Sequence, residues 1–110
     1  MTNKMRGEVE VTLGGENHTL CLTLGALAEI ESGLGVNNLL EMDERLGRPS
    51  TGDLMIILHA LLRGGGHDLT REEVEIMPVN LKHVVSGIES AFRLAMAPGE
   101  AESSVPPGQL

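Results

Sequence analysis

The stretch EVEVTLGGENHTLCLTL, residues 8–24, decides the fold class. Polar and apolar side chains alternate over residues 8–13 and alternate again over residues 18–24. Successive side chains of a strand point to opposite faces, so each segment presents one apolar face. Residues 14–17 between them accept positive φ angles, which predicts a turn. The stretch therefore predicts a β-hairpin with one apolar face, and other elements must cover that face because an isolated hairpin is marginal in water.

The rest of the chain has helical periodicity. Residues that favour helix N-caps precede five apolar-periodic segments: Thr23, Asn37 or Asn38, Ser50, Thr70 and Asn80. Ser50 with Asp53, and Thr70 with Glu73, have the spacing of a capping box. We expect the first four helices to end near Ser32, Gly47, Arg63 and Met77, where Gly or Pro follows. The predicted class is α+β, with an N-terminal β-hairpin followed by about five short helices in a small bundle.

One domain accounts for most of the 110 residues. We place it at residues 6–97, after a loose N-terminus at residues 1–5. Residues 98–110 contain three of the five prolines and few apolar residues, which predicts a disordered tail.

Charge and composition limit the partners. The formal net charge is −8, and phosphate backbones and anionic lipid surfaces repel such a chain. Phe92 is the one aromatic residue, so the chain lacks the stacking side chains on which single-stranded nucleic acids are usually bound. We therefore expect neither nucleic acid nor membrane as a partner. A single cysteine, Cys21, and an N-terminus without an apolar stretch indicate a cytoplasmic protein.

No residue pattern points to catalysis, a cofactor or a metal. The four histidines lack the spacing of metal ligands. The glycines at 64–66 are followed by His67 and Asp68 rather than by a Lys, so they predict a helix stop and not a phosphate loop. Cys21 has no basic neighbour in sequence that would activate its thiol. We expect a protein that is not an enzyme and acts by binding other proteins.

The third predicted helix carries more apolar side chains than a small core readily absorbs. Its candidate core face is the stripe Leu54, Ile57, Leu58 and Leu61. The helix is either the central core element, or one of its sides meets another protein. The candidate partner-binding residues are three that lie off the stripe and two on the outer side of the fifth helix: Met55, Ile56, Leu62, Leu94 and Met96.

Three segments of the chain resemble one small phage-related family. They are RGEV at residues 6–9, LCLTLGALAEIE at residues 20–31, and LLRGGGHDLTREEV at residues 61–74. The family is that of the tail assembly chaperone-like proteins encoded by gene transfer agents and siphophage-type prophages. The resemblance extends over roughly residues 6–95, and the residues that carry it are structural.

The resemblance implies a helper in building a phage-like tail. In such systems the chaperone coats the long, mostly helical tape measure protein until tail tube subunits replace the coat. The implied partners are the tape measure protein and other tail proteins, and a homo-oligomer is possible. One alternative is a structural, tube-associated tail component, although tube subunits polymerise through extended β structure and this chain offers one hairpin. Another is a small helical DNA-binding regulator, which the acidic charge disfavours.

Overall fold

A β-hairpin and five helices follow one another along residues 7–96, the part of the chain that the computed structural model describes. The expectations for residues 1–5 and 98–110 lie outside the described residues. The elements are β1 (Glu8–Leu13), β2 (Glu16–Cys21), α1 (Leu24–Leu34), α2 (Leu39–Gly47), α3 (Thr51–Gly64), α4 (Arg71–Glu75) and α5 (Leu81–Met96). The predicted α+β class, a hairpin followed by helices, is confirmed.

The hairpin turn is tighter than the sequence pattern indicates. Leu13 pairs with Glu16 in the antiparallel register, so the turn contains only Gly14 and Gly15. Both have positive φ angles, +60° and +83°, as a type I′ turn requires. The second strand therefore begins at Glu16, two residues before the predicted start, and it ends at Cys21 rather than at residue 24.

Side-chain caps define the helix starts. Thr23 Oγ1 accepts a hydrogen bond from the backbone N–H of Ala26 and starts α1. Asn38, rather than Asn37, caps α2, and Asn80 Oδ1 accepts two backbone N–H groups at the start of α5. Both predicted capping boxes, at the starts of α3 and α4, are present.

Two helix ends differ from the predicted positions. α1 continues through Gly33 to Leu34, because Gly35 supplies the left-handed cap with φ +73° and donates its N–H to carbonyls of the last turn. α4 ends at Glu75, before Met77.

The core lies between the hairpin, α3 and α5. α5 packs on the face of β1 and β2 that carries Val11 and Leu20. Gly87 permits this approach, since a Cβ there would lie 3.2 Å from Leu20 Cδ1. α3 packs against β2, α1, α4 and α5, and its Ile57 and Leu61 are completely buried. α3 is thus the central helix, which was one of the two readings that the sequence left open.

The end of α3 lies directly against the backbone of β2. A Cβ on Gly64 would overlap the carbonyl oxygen of Cys21, and a Cβ on Gly65 would overlap that of Thr19. The next residues continue along the same edge, and the N–H of Thr19 donates to Nε2 of His67 over 2.8 Å. The segment of residues 64–67 therefore covers the strand edge that β1 leaves open, which reduces the exposure of unpaired strand groups.

One arginine joins three helices. Arg45 of α2 donates from Nη2 to Asp53 Oδ1 in the first turn of α3 at 2.8 Å, and from Nη1 to the Leu34 carbonyl at the end of α1 at 2.9 Å. Asp53 is 6% exposed, and its hydrogen bond with Arg45 holds the pKa of the carboxyl group below its usual range. These bonds set where α2 lies relative to α1 and α3.

Replacing Gly65 by Ala tests the contact between α3 and β2. The φ of Gly65 is −85°, which Ala adopts readily, so any loss comes from overlap with the Thr19 carbonyl. We expect Gly65→Ala to lower the free energy of unfolding by about 1–3 kcal/mol in chemical denaturation. Gly52→Ala is the matched control, because a Cβ on Gly52 would lie 3.8 Å from Ser50 Oγ, an ordinary van der Waals contact. That variant should be neutral or stabilised, and an equal loss in both variants would contradict the contact.

We expect the hydrogen bond from Thr19 N–H to His67 Nε2 to make stability depend on pH. Burial lowers the pKa of the His67 imidazole, and the neighbouring His18 lowers it further. The stabilisation that the neutral His67 imidazole provides is therefore complete above the pKa of about 6.5 that His67 has in the unfolded chain. It is lost as pH falls through the lower pKa that His67 has in the folded protein. We expect the free energy of unfolding to decrease from pH 7 to pH 5, and His67→Gln to reduce that slope. An unchanged slope in His67→Gln, with exposed His83→Gln as control, would contradict this origin.

Candidate protein-binding groove

Helices α2, α3 and α5 enclose three sides of an apolar groove of about 870 Å³. Ile57 of α3 lies at its floor, where it is fully buried from solvent. The two walls present mostly aliphatic side chains. The wall from α2 presents Leu39, Leu40 and Leu46, and the wall from α5 presents Val85, Phe92 and Met96. No residue between 7 and 96 covers the fourth side.

The periodicity of α5 explains its wall. Residues 85, 88, 89, 92, 93 and 96 line the groove, and this spacing places them along one helix face. The neighbouring face of α5, which includes Val84 and Ala91, packs into the core. α5 therefore covers the hairpin with one face and forms a groove wall with the next.

The wall from α2 results from a short helix with more leucines than it can bury. Only Met42 of its nine residues is buried. Leu39 and Leu40 remain 49% and 70% exposed, and Met96 across the groove is 49% exposed. Contiguous exposed apolar side chains in a groove are typical of a site that binds another molecule. The flexible side chain of Met96 allows the surface to adapt to an irregular partner.

Charged side chains lie on both walls of the groove. Asp43 projects from α2, and Glu89 and Arg93 belong to α5. Apart from these three, the lining side chains are apolar. The groove thus offers a partner a continuous apolar surface with a carboxylate on each wall and the guanidinium of Arg93 on the α5 wall.

The candidate residues from the sequence fall in different places. Met96 lines the groove. Met55, Ile56 and Leu94 are half-buried outside its lining, and Ile56 packs against α1, where its Cγ2 would lie 2.7 Å from a Cβ on Gly33. Leu62 is 0% exposed, so it must be corrected from a binding candidate to a core residue. The reason is that α3 is enclosed on several sides, and a residue off one core stripe still meets another element.

Sequence reasoning missed the two most exposed leucines of the groove wall formed by α2. Leu39 and Leu40 are adjacent, and adjacent residues of a helix lie about 100° apart, so both are hard to bury under a single core face. That doublet at the start of a short helix, in which Met42 already supplies the buried contact, was the available signal.

Between residues 7 and 96 no three His, Cys, Asp or Glu side chains group so that they could hold a metal ion. None of the helices in the same range combines the length and the apolar character that crossing a bilayer takes.

The groove leucines should tolerate charge, unlike the core. We expect Leu40→Asp to leave the thermal midpoint nearly unchanged, because its side chain already meets water. Leu58→Asp should unfold the domain, since Leu58 is 5% exposed and an unpaired carboxylate would be buried. Leu24→Asp, at an 84% exposed position away from the groove, is the control. If Leu40→Asp melts as badly as Leu58→Asp, the wall formed by α2 is part of the core.

Comparison with known proteins gives the family. Neither the search of curated proteins nor the search of solved structures found a match. A family model described as "Phage tail tube protein, GTA-gp10" matches residues 6–97, a range that includes the hairpin, the described helices and the whole groove. This agrees with the resemblance to gene transfer agent and phage tail proteins in the sequence. The chain belongs to this gene transfer agent and phage tail family.

Proposed function

We propose that this tail protein is a non-enzymatic assembly chaperone, which binds the tape measure protein in the cytoplasm and keeps it soluble until the tail tube forms. Membership of the family supports a role with other tail proteins. The chaperone role itself is our inference, and it rests on the character of the exposed surface.

The observation that carries the proposal is the open apolar groove on an acidic domain. A chaperone for a long helical protein needs an apolar surface to cover its client, and it needs charge elsewhere to keep the complex soluble. The groove with Leu39, Leu40 and Met96 supplies the first requirement. The formal net charge of −8 supplies the second.

A structural, tube-associated component is the second candidate. The description of the matching family, which names a tail tube protein, favours it. The fold provides little extended β structure through which a tube subunit could polymerise. Within residues 7–96 the sheet has two strands, and residues 64–67 already cover the outer edge of β2. The two candidates differ in whether the chain remains in the finished particle.

Co-expression with the tape measure protein tests the proposal. We expect the full chain to keep the tape measure protein in the soluble fraction and to co-purify with it, because the groove covers apolar segments of the client. Leu24→Asp should behave as the unchanged chain. We also expect the chain to be missing from purified mature particles when they are analysed by mass spectrometry.

The opposite results would be informative in different ways. Recovery of the chain in mature particles, in an amount comparable to the tube subunits, would assign it to the tail structure. A tape measure protein that is equally soluble with and without the chain would refute the chaperone role.

A further inference from the structure

We propose that the groove binds a single amphipathic α-helix of about three turns, whose apolar stripe is flanked by Lys or Arg on both sides. This inference rests on the proposed function, which supplies a partner among the tail proteins. It adds the conformation, length and charge of the bound segment.

The length of the bound segment follows from α5. Its groove-lining residues run from Val85 to Met96, which corresponds to about three helical turns or about 16 Å. A partner helix that lies along this wall can place apolar side chains at positions i, i+3, i+4 and i+7 against it, in the manner of helix-in-groove recognition.

The polarity of the lining selects a helix over an extended segment. An extended chain would bring unpaired backbone N–H and C=O groups into the groove, and burying them without partners is costly. The lining side chains that could satisfy such groups are Asp43, Glu89 and Arg93, which lie on the walls. A helix satisfies its own backbone groups and presents only side chains. As a fourth helix beside α2, α3 and α5, it would also close the open side in the way of a helix bundle.

Charge determines which helix fits. Asp43 places a carboxylate on the α2 wall, and Glu89 places one on the α5 wall one turn before the guanidinium of Arg93. A basic residue on each flank of the partner stripe would therefore meet opposite charge beside Asp43 and beside Glu89, whereas the position beside Arg93 suits a neutral or acidic residue. A second copy of this chain is a poor occupant, because each copy carries a formal net charge of −8 and each groove lining has two carboxylates against one guanidinium. The favoured occupant is therefore a basic amphipathic helix of another protein.

Binding of designed peptides to the full chain tests the inference. The probe is a fluorescein-labelled peptide of about four turns with Leu at helical spacing and Lys on both flanks. The comparison peptides carry Glu in place of Lys, or the same Leu and Lys residues in a scrambled, non-amphipathic order. We expect fluorescence anisotropy to show tight binding of the Lys peptide only.

Variants locate the site and its charge preference. Leu40→Gln should weaken binding of the Lys peptide by about tenfold or more without adding charge, whereas Leu24→Gln should not change it. Glu89→Lys should weaken the Lys peptide and strengthen the Glu peptide. Glu75→Lys changes the net charge equally but lies on α4, outside the groove lining. It should change the affinity for the Lys peptide and for the Glu peptide less than Glu89→Lys does.

Several outcomes would overturn the inference. Equal binding of the scrambled peptide would exclude a helix, and unchanged binding in Leu40→Gln would exclude the groove. A concentration-dependent dimer in sedimentation that Leu40→Asp abolishes would assign the groove to a second copy. Tape measure protein that still co-purifies with Leu40→Asp would refute the groove as its site while leaving the chaperone role standing.

Discussion

The close approach of α3 to the backbone of β2 is the contact on which the rest of the architecture depends. A two-stranded hairpin cannot stand alone in water, and α5 covers only its apolar face. Gly64 and Gly65 let the end of α3 reach the remaining strand edge, where His67 accepts the N–H of Thr19. Held at this end by the strand and at its start by Arg45 and Asp53, α3 lies in the centre of the molecule and provides the floor of the groove.

The elements of this fold were predictable because their signals are local. The hairpin followed from alternating side chains, and the helix starts followed from capping residues whose bonds span three residues. The glycine run was predicted only as a helix stop. Its second role, close packing on a strand more than forty residues earlier in the chain, leaves no local pattern, because any residue can end a helix but only glycine fits against the carbonyls of Thr19 and Cys21.

The location of the open surface was harder to predict than its existence. The sequence indicates excess apolar residues on α3, yet α3 is enclosed by α1, β2, α4 and α5, so that Leu62 is buried and Ile56 packs on Gly33. The excess instead emerges on α2 and the outer part of α5. The open side of a small bundle depends on how its short helices pack once their ends are fixed. Here Arg45 fixes them through its hydrogen bonds to Asp53 and to the Leu34 carbonyl. The periodicity of a single helix does not contain that information.

The aromatic content of the groove has an optical consequence. Phe92 is the one aromatic residue of the chain and lies in the groove wall, and the chain contains neither Trp nor Tyr. The protein therefore absorbs and emits very little light in the near ultraviolet. A tryptophan on a partner that enters the groove moves from water to an aliphatic surface. This protein contributes no tryptophan or tyrosine emission that would mask the change. Its emission shift alone would report binding, with no dye attached and no residue of this protein changed.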